Sequence, residues 1–387
     1  MTTKIKIAFR HLRSRPFQTF SVVSIVAFSI GLAVILFVLA QGLRLGLIRA
    51  VEPFDLIIGA KGSPYQLVLN TVFLQDAPVG NITWENYVEV SDDIRVNFAV
   101  PLGFGDSYRG YPVIGSTEDI LKIRVRDSAP SWMKVREGRW FRNELEAVLG
   151  SRVAVDSGLR VGDVFRTSHG VVIGDEHENN FKVVGIAETV SGPYDRAVFI
   201  PLETLWAEHK HHEEGGEVTA VLVHPRSYAD AYSLAASFQN KSGMQLVFPS
   251  QTVIRLFSLM GRGEAFLSIV VYAVGGCALF TTLLVLYWAS AARRGERVLL
   301  HVLGVSRGDL IFITWLEGTA TLLIGMAFGE VLGRLGAGAA FKILGSATAV
   351  DSAVAFTLQE LIAPLFLLAA GSMGGLFAAC RGGFFLD

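Results

Sequence analysis

The sequence predicts an α-helical membrane protein with four transmembrane helices. An α+β extracytoplasmic domain, two βαβ-type halves plus a β-rich subdomain, is inserted between helices 1 and 2. Three observations predict this. The 387 residues are 51% hydrophobic and only 18% charged, with a mean hydropathy of +0.45, whereas soluble domains carry roughly a quarter charged residues. Four apolar runs reach the length of about 20 residues that crosses roughly 30 Å of hydrocarbon. Basic residues flank those runs on alternate sides, which sets their orientation.

Residues 17–43, 265–292 and 361–380 contain no charged side chain, and the fourth run, 310–332, is interrupted by Glu317 and ends near Glu330. The first run follows Lys4, Lys6, Arg10, Arg13 and Arg15, as a cleaved signal would. Its length is nearly twice the usual h-region of about 7–15 residues, so an uncleaved anchor is expected. Residues 1–16 then form a basic cytoplasmic leading helix. Arg293, Arg294, Arg297 and Arg307 place the loop 293–309 in the cytoplasm, and Arg381 places the tail 381–387 there too. The loop 333–360 carries Arg334 and Lys342 offset by Asp351 and Glu360, and is assigned outside. Both termini fall on the cytoplasmic side and residues 44–262 lie outside.

Within that outer segment, residues 42–50 and 251–262 continue the first two spans as amphipathic stalks. Residues 54–58 read as a strand, 84–90 as a helix capped by Asn81 or Thr83, and 94–102 and 111–114 as extended chain. Residues 217–223, 227–239 and 245–248 read as strand, helix, strand. Two such βαβ-type halves, far apart in sequence, can close into one layer. The middle portion, about 120–214, holds short β-like runs at 147–149, 164–166 and 181–186. Both cysteines, Cys277 and Cys380, lie in apolar runs, so the outer domain is held by its core and not by disulfides. A net charge of -1 argues against a polyanionic partner such as nucleic acid.

Several segments in order resemble one family. They are residues 7–18 (IAFRHLRSRPFQ) ahead of Ser29-Ile30-Gly31, residues 150–165 (GSRVAVDSGLRVGDVF), residues 181–206 with VVGIAE and VFIPL, and residues 293–309 (RRGERVLLHVLGVSRGD). Together they resemble the permease subunits of the MacB, FtsX and LolC/LolE superfamily of bacterial ABC transporters. The resemblance implies a dimer of permeases, here expected to be a homodimer, bound to cytoplasmic ABC ATPase subunits that carry ATP and Mg²⁺. ATP-driven closure would move the stalks and the outer domain, with a periplasmic partner or substrate-binding protein as a further expected contact. It also implies that Arg293, Arg294, Glu296, Arg297, His301, Gly304, Ser306 and Arg307 form an ATPase-coupling segment. His301 departs from the Arg or Lys more usual there. The bland alternative is a basic loop that only fixes orientation.

No lysine follows a glycine in this sequence, so no G-x-x-x-x-G-K-[ST] phosphate loop is present and ATP use is assigned to a partner. No nucleophile elbow or zinc-protease motif supports an enzyme in the outer domain. Glu317 is expected inside the third span, paired structurally with Arg10 or Arg13 or acting in proton transfer. His209, His211 and His212, among Glu208, Glu213 and Glu214, read either as a solvated loop or as a weak zinc site. Gly325, Gly329 and Gly333, and Gly371 and Gly375, allow close helix contacts, within the chain or across a dimer. The cargo classes left open are a lipid, lipoprotein, peptide or metal-linked substrate. A transmembrane signal transmitter without cargo is the alternative.

Overall fold

The computed structural model describes residues 2–75, 77–126, 128–169, 179–208, 216–259, 261–292, 294–348, 369 and 372–373. The chain divides into a helical unit (Met1–Gly42, Arg262–Ile343 and Ala353–Asp387) and an outer unit (Leu43–Gly261 and Leu344–Ser352).

The chain opens with α1 (Thr2–Ser14) and α2 (Pro16–Val51). Arg15 breaks the two because a residue before proline is pushed out of helical conformation, while Pro16 suits a first helical turn. At 36 residues, α2 is about 54 Å long. From Leu43 onward its residues belong to the outer unit, where Leu47, Ala50 and Val51 pack with Phe54 and Leu67.

In the outer unit the first half runs β1 (Leu56–Ala60), α3 (Pro64–Thr71), β2 (Ile82–Thr83), α4 (Trp84–Ser91), β3 (Val96–Tyr108) and β4 (Tyr111–Ser116). Of the two caps expected for α4, Thr83 takes the role, its Oγ1 accepting the Asn86 N–H at 3.4 Å. The middle portion gives β5 (Val135–Gly138), β6 (Glu146–Leu149), α5 (Ser151–Ser157), β7 (Val164–Phe165), β8 (Ser168–His169), β9 (Phe181–Ala187), β10 (Val198–Pro201) and α6 (Leu202–Glu208). The closing half is β11 (Glu217–Val218), β12 (Ala220–Pro225), α7 (Tyr228–Phe238), β13 (Met244–Val247) and α8 (Pro249–Leu259).

The sheet order is β13-β1-β12-β3-β4-β10-β6-β9-β5, with β7 on β9 and β8 on β3. The two expected βαβ halves interlock. β12 lies between β1 and β3, and β1 lies between β12 and β13, all antiparallel. This is the split βαβ arrangement, in which each half supplies the strand missing from the other. The β-rich portion expected as a subdomain extends this same sheet instead of closing on itself. β10 pairs in parallel with β4, Val198 opposite Val113 and Phe199 opposite Ile114. Both faces of β4 are apolar and buried there, so its edge could not have been left in water.

Alternation along the strands sorts the core onto two faces. Val247, Ile57, Leu222 and Val100 stand in one row and face the cluster covered by α3, α8 and the end of α2. Leu56, Val223 and Ala99 form the neighbouring row and face the cluster covered by α4, α5, α6 and α7. With both faces covered, the central strands read as nearly unbroken apolar runs.

The chain then continues as α9 (Gly261–Ala291), α10 (Arg294–Val302) and α11 (Arg307–Thr348). Among the described residues, Pro16–Val51 and Arg307–Phe341 are long and apolar enough to cross a membrane, and a further apolar stretch, Tyr272–Val285, lies within α9. The expected fourth span, 361–380, falls almost entirely outside the described residues. The helix expected to stop at 332 runs on to Thr348. No proline interrupts it, alanines favour it, and Arg334 is ion-paired one turn back to Glu330 at 2.8 Å.

Glycines bring α2 and α11 together. A Cβ on Gly329 would lie 2.8 Å from the Ala27 carbonyl oxygen, one on Gly333 would lie 2.9 Å from that of Gly31, and one on Gly325 would lie 2.6 Å from Val26 Cγ1. Val22, Val26, Ile30 and Leu322 form a small buried cluster between the two helices. The spacing-four glycines 325, 329 and 333 are thus used within one chain. Gly371 and Gly375 lie outside the described residues.

Candidate functional site: the helix before α11

α10 is a short amphipathic helix whose ends are set by its own sequence. Gly304 adopts φ +94°, a left-handed conformation that glycine enters without steric cost, and so terminates the helix. The Val305 N–H reaches back to the Leu300 carbonyl at 3.1 Å and the Gly304 N–H to that of His301 at 3.0 Å. The His301 ring also closes this turn, with Nδ1 3.0 Å from the Val305 carbonyl oxygen. Ser306 then starts α11, its Oγ accepting the Asp309 N–H at 3.2 Å. The Leu-Gly-Val-Ser-Arg segment is therefore a helix stop joined directly to a helix start.

Two charged side chains anchor the N-terminal end of α10. Glu296, in its first turn, is ion-paired with Arg15, the residue between α1 and α2. A carboxylate there is also favoured by the helix dipole. Arg297 is buried, and its Nη1 lies 3.5 Å from Thr314 Oγ1 on α11. The side of the helix opposite Arg297 is bare. Val298 is 44% exposed, Leu299 63%, Val302 78% and Leu303 72%, at positions that recur one turn apart and so share a face.

Of the expected coupling residues, Glu296, Arg297, His301, Gly304, Ser306 and Arg307 lie together on these consecutive turns. Arg293 is outside the described residues, as is the side chain of Arg294. Glu317 is buried on α11, one turn beyond Thr314, and the Thr321 hydroxyl donates to its backbone carbonyl at 2.8 Å. Arg10 and Arg13, its expected partners, are exposed on α1. His209, His211 and His212 are outside the described residues. Among the described residues no group of three or more His, Cys, Asp or Glu is placed to hold a metal ion. The sequence reading missed Arg15 as a partner, having counted it only among the orienting charges. Its position at the helix break before Pro16 was the available signal.

Two carboxylates of the outer unit are each engaged by several donors. Arg139 forms a two-pronged ion pair with Glu146 at 2.6 and 2.7 Å, and the Arg142 N–H and the Asn143 side chain add further bonds. The Arg139 guanidinium, aided by those donors, holds the Glu146 carboxyl well below the usual carboxylate range. Asp195 accepts from Ser151 Oγ at 2.9 Å and from the Val190 and Gly192 N–H groups. Burial nevertheless pushes its pKa up, against those hydrogen bonds. Tyr194 is fully buried, with its hydroxyl donating to the Thr71 carbonyl at 2.8 Å. Phe54, just past α2, meets the rings of Trp132 and Tyr194 at 5.2 and 5.6 Å.

Residues 19–241 match the family described as the MacB-like periplasmic core domain. Among solved structures, the chain is similar to the extracellular domain of the noncanonic ABC-type transporter YknZ from Gram-positive bacteria. That likeness has 12% identity and a TM-score of 0.33, and covers 50% of this chain and 99% of that one. It is also similar to the periplasmic region of MacB from Actinobacillus actinomycetemcomitans, with 13% identity and a TM-score of 0.37 over 55% of this chain and 95% of that one. Likenesses at this level fix no residue correspondence. No curated protein matches the chain. The family match extends over more than half of the sequence and takes in the described strands of the sheet except β13, so this protein belongs to the MacB-like periplasmic core domain family.

Proposed function

We propose that this chain is the permease subunit that couples ATP hydrolysis on a separate cytoplasmic ABC ATPase to movement of its outer domain. In this reading four helices span the membrane, with both termini in the cytoplasm. The sheet domain lies on the periplasmic side, and two copies of the chain work as a homodimer. The cargo belongs to the lipid, lipoprotein, peptide or metal-linked classes, moved or extracted at the outer face.

The observation that carries this reading is α10. It is held at one end by Glu296 on Arg15 and by Arg297 against Thr314, and it exposes Val298, Leu299, Val302 and Leu303 on one face. An amphipathic helix with a bare apolar face suits insertion into a groove on another protein. Burying a leucine contributes about 1.5–3 kcal/mol, enough for four such residues to offset part of the cost of association.

The test is co-purification of the full-length chain with its ABC ATPase from membranes, comparing wild type with Leu299→Asp/Leu303→Asp. The double variant is expected to insert normally and to lose the ATPase. Retention of the ATPase at wild-type stoichiometry would overturn the reading.

A further inference from the structure

We propose that α1 is a docking surface for anionic phospholipid headgroups, with Lys6, Arg10 and Arg13 as the contacting stripe. These residues recur at i, i+4 and i+7, so they line one side of the helix. All three are exposed, whereas Ala8 and Leu12 on another side are buried against the protein. Among the described residues none of the three is ion-paired; Arg15, the next basic residue, is already engaged by Glu296.

Charge and chain connectivity both point to lipid. The first acidic residue in the sequence is Glu52, so neither α1 nor α2 carries a carboxylate to neutralise the stripe. α2 begins at Pro16, and Phe17 and Phe20 stand 83% and 69% exposed in its first turns, as expected of side chains meeting hydrocarbon. Phe17 lies four residues beyond Arg13, at most about 14 Å of chain. The headgroup layer is roughly 5–7 Å deep on each side of the hydrocarbon, and charges act over a further 8–10 Å or so at ordinary ionic strength. Arg13 cannot leave that zone, and the helix carries Arg10 and Lys6 along the same side. Guanidinium groups bind phosphate oxygens in paired hydrogen bonds, and each basic group at an anionic leaflet raises affinity by about fivefold. The inference rests on α2 crossing the membrane.

The experiment places the full-length chain in phosphatidylcholine vesicles and compares its association with spin-labelled phosphatidylglycerol and spin-labelled phosphatidylcholine. The wild type is expected to prefer phosphatidylglycerol by at least about fivefold, the effect of one basic group, and high salt should erode the preference. Lys6→Gln/Arg10→Gln/Arg13→Gln should abolish it, and Lys6→Arg/Arg10→Lys/Arg13→Lys should keep it. Equal association of both lipids with inserted wild type would overturn the proposal, as would a preference undiminished in the glutamine variant. Displacement by inorganic phosphate, beyond that by sodium chloride of equal ionic strength, would overturn lipid as the occupant. A stripe that loses the lipid only when an ATPase partner is added would remain a lipid surface; one that shows selectivity only with that partner present would not. Extraction of the wild type from the vesicles by alkaline wash would instead bring down the membrane reading, and this inference with it.

Discussion

The outer sheet and the helical unit use apolar residues in opposite ways. In the outer unit the largest side chains go inside: Tyr194, Phe181, Phe199, Leu56 and Ile57 are among the bulkiest fully buried groups of the described residues. Along the α2–α11 contact the closest approaches are made by glycines, while Phe17, Phe20, Phe28 and Phe328 stand outside. Water drives large apolar groups together because their exposure is unfavourable. A lipid chain solvates a phenylalanine as well as another helix would, so in a bilayer helices gain mainly by bringing backbones close. Similar apolar composition therefore gives a core of large rings in one region and a seam of small residues in the other.

The largest effect is expected at the ring that the turn before β10 places among the outer unit's buried aromatics. Tyr194→Ala should destabilise the outer unit by about 3–5 kcal/mol, the range for removing a large buried aromatic. Tyr194→Phe should cost about 1 kcal/mol for the lost bond to Thr71. Denaturant unfolding of the full-length protein, followed by tryptophan fluorescence, measures both. If the two substitutions cost the same, the ring is not what the core depends on.

The converse substitution tests the helical seam. Gly329→Val adds bulk where a Cβ already meets the Ala27 carbonyl oxygen at 2.8 Å, whereas a Cβ on Gly338 meets nothing within 4 Å. Gly329→Val should cost about 1–3 kcal/mol and lower the thermal midpoint in detergent, and Gly338→Val should leave it unchanged. Equal shifts for the two would mean that close backbone approach does not hold α2 to α11.

A smaller effect, confined to the sheet, depends on pH. Glu146 has its pKa depressed in the folded chain by Arg139 and the donors around it. Its contribution is present above the unfolded value of about 4.3 and is lost as pH falls toward the folded value. Glu146→Gln should cost about 1.5–3 kcal/mol near neutral pH and should flatten the decline in stability below about pH 4.3. Parallel acid curves for the variant and wild type would refute that assignment.

The smallest change in stability belongs to the anchor of α10. Arg15 and Glu296 are about half exposed, so breaking the pair should cost less than about 1 kcal/mol. Its consequence is expected in geometry instead. Arg15→Glu should weaken ATPase-coupled activity with little change in thermal midpoint, and Arg15→Glu/Glu296→Arg should restore it. No recovery in the reversed pair would mean that the contact does not orient α10.

Much of the local structure could be read from the residues. Thr83 and Ser227 announce helix starts, and each side chain accepts the N–H three residues on. The strands at 111–114, 147–149 and 181–186 fall within β4, β6 and β9 because branched apolar residues suit a covered sheet. The α10–α11 turn was legible from Gly304 and Ser306. The joining of β10 to β4 was not, because parallel pairing leaves no mark in the spacing of either strand. Nor was the Arg15–Glu296 contact, since any of several basic residues could have met that carboxylate.

By itself the sequence determined which segments are too apolar for water, where helices start and stop, and which residues alternate between buried faces. These follow from hydration and backbone sterics acting over a few neighbouring residues. Tertiary structure alone decided that the middle strands extend a single sheet, that Gly325, Gly329 and Gly333 face α2, and that Arg297 turns inward while Leu299 and Leu303 turn out. Each of these is a choice among chemically equivalent partners distant along the chain, and it is settled only when the whole set of contacts packs at once.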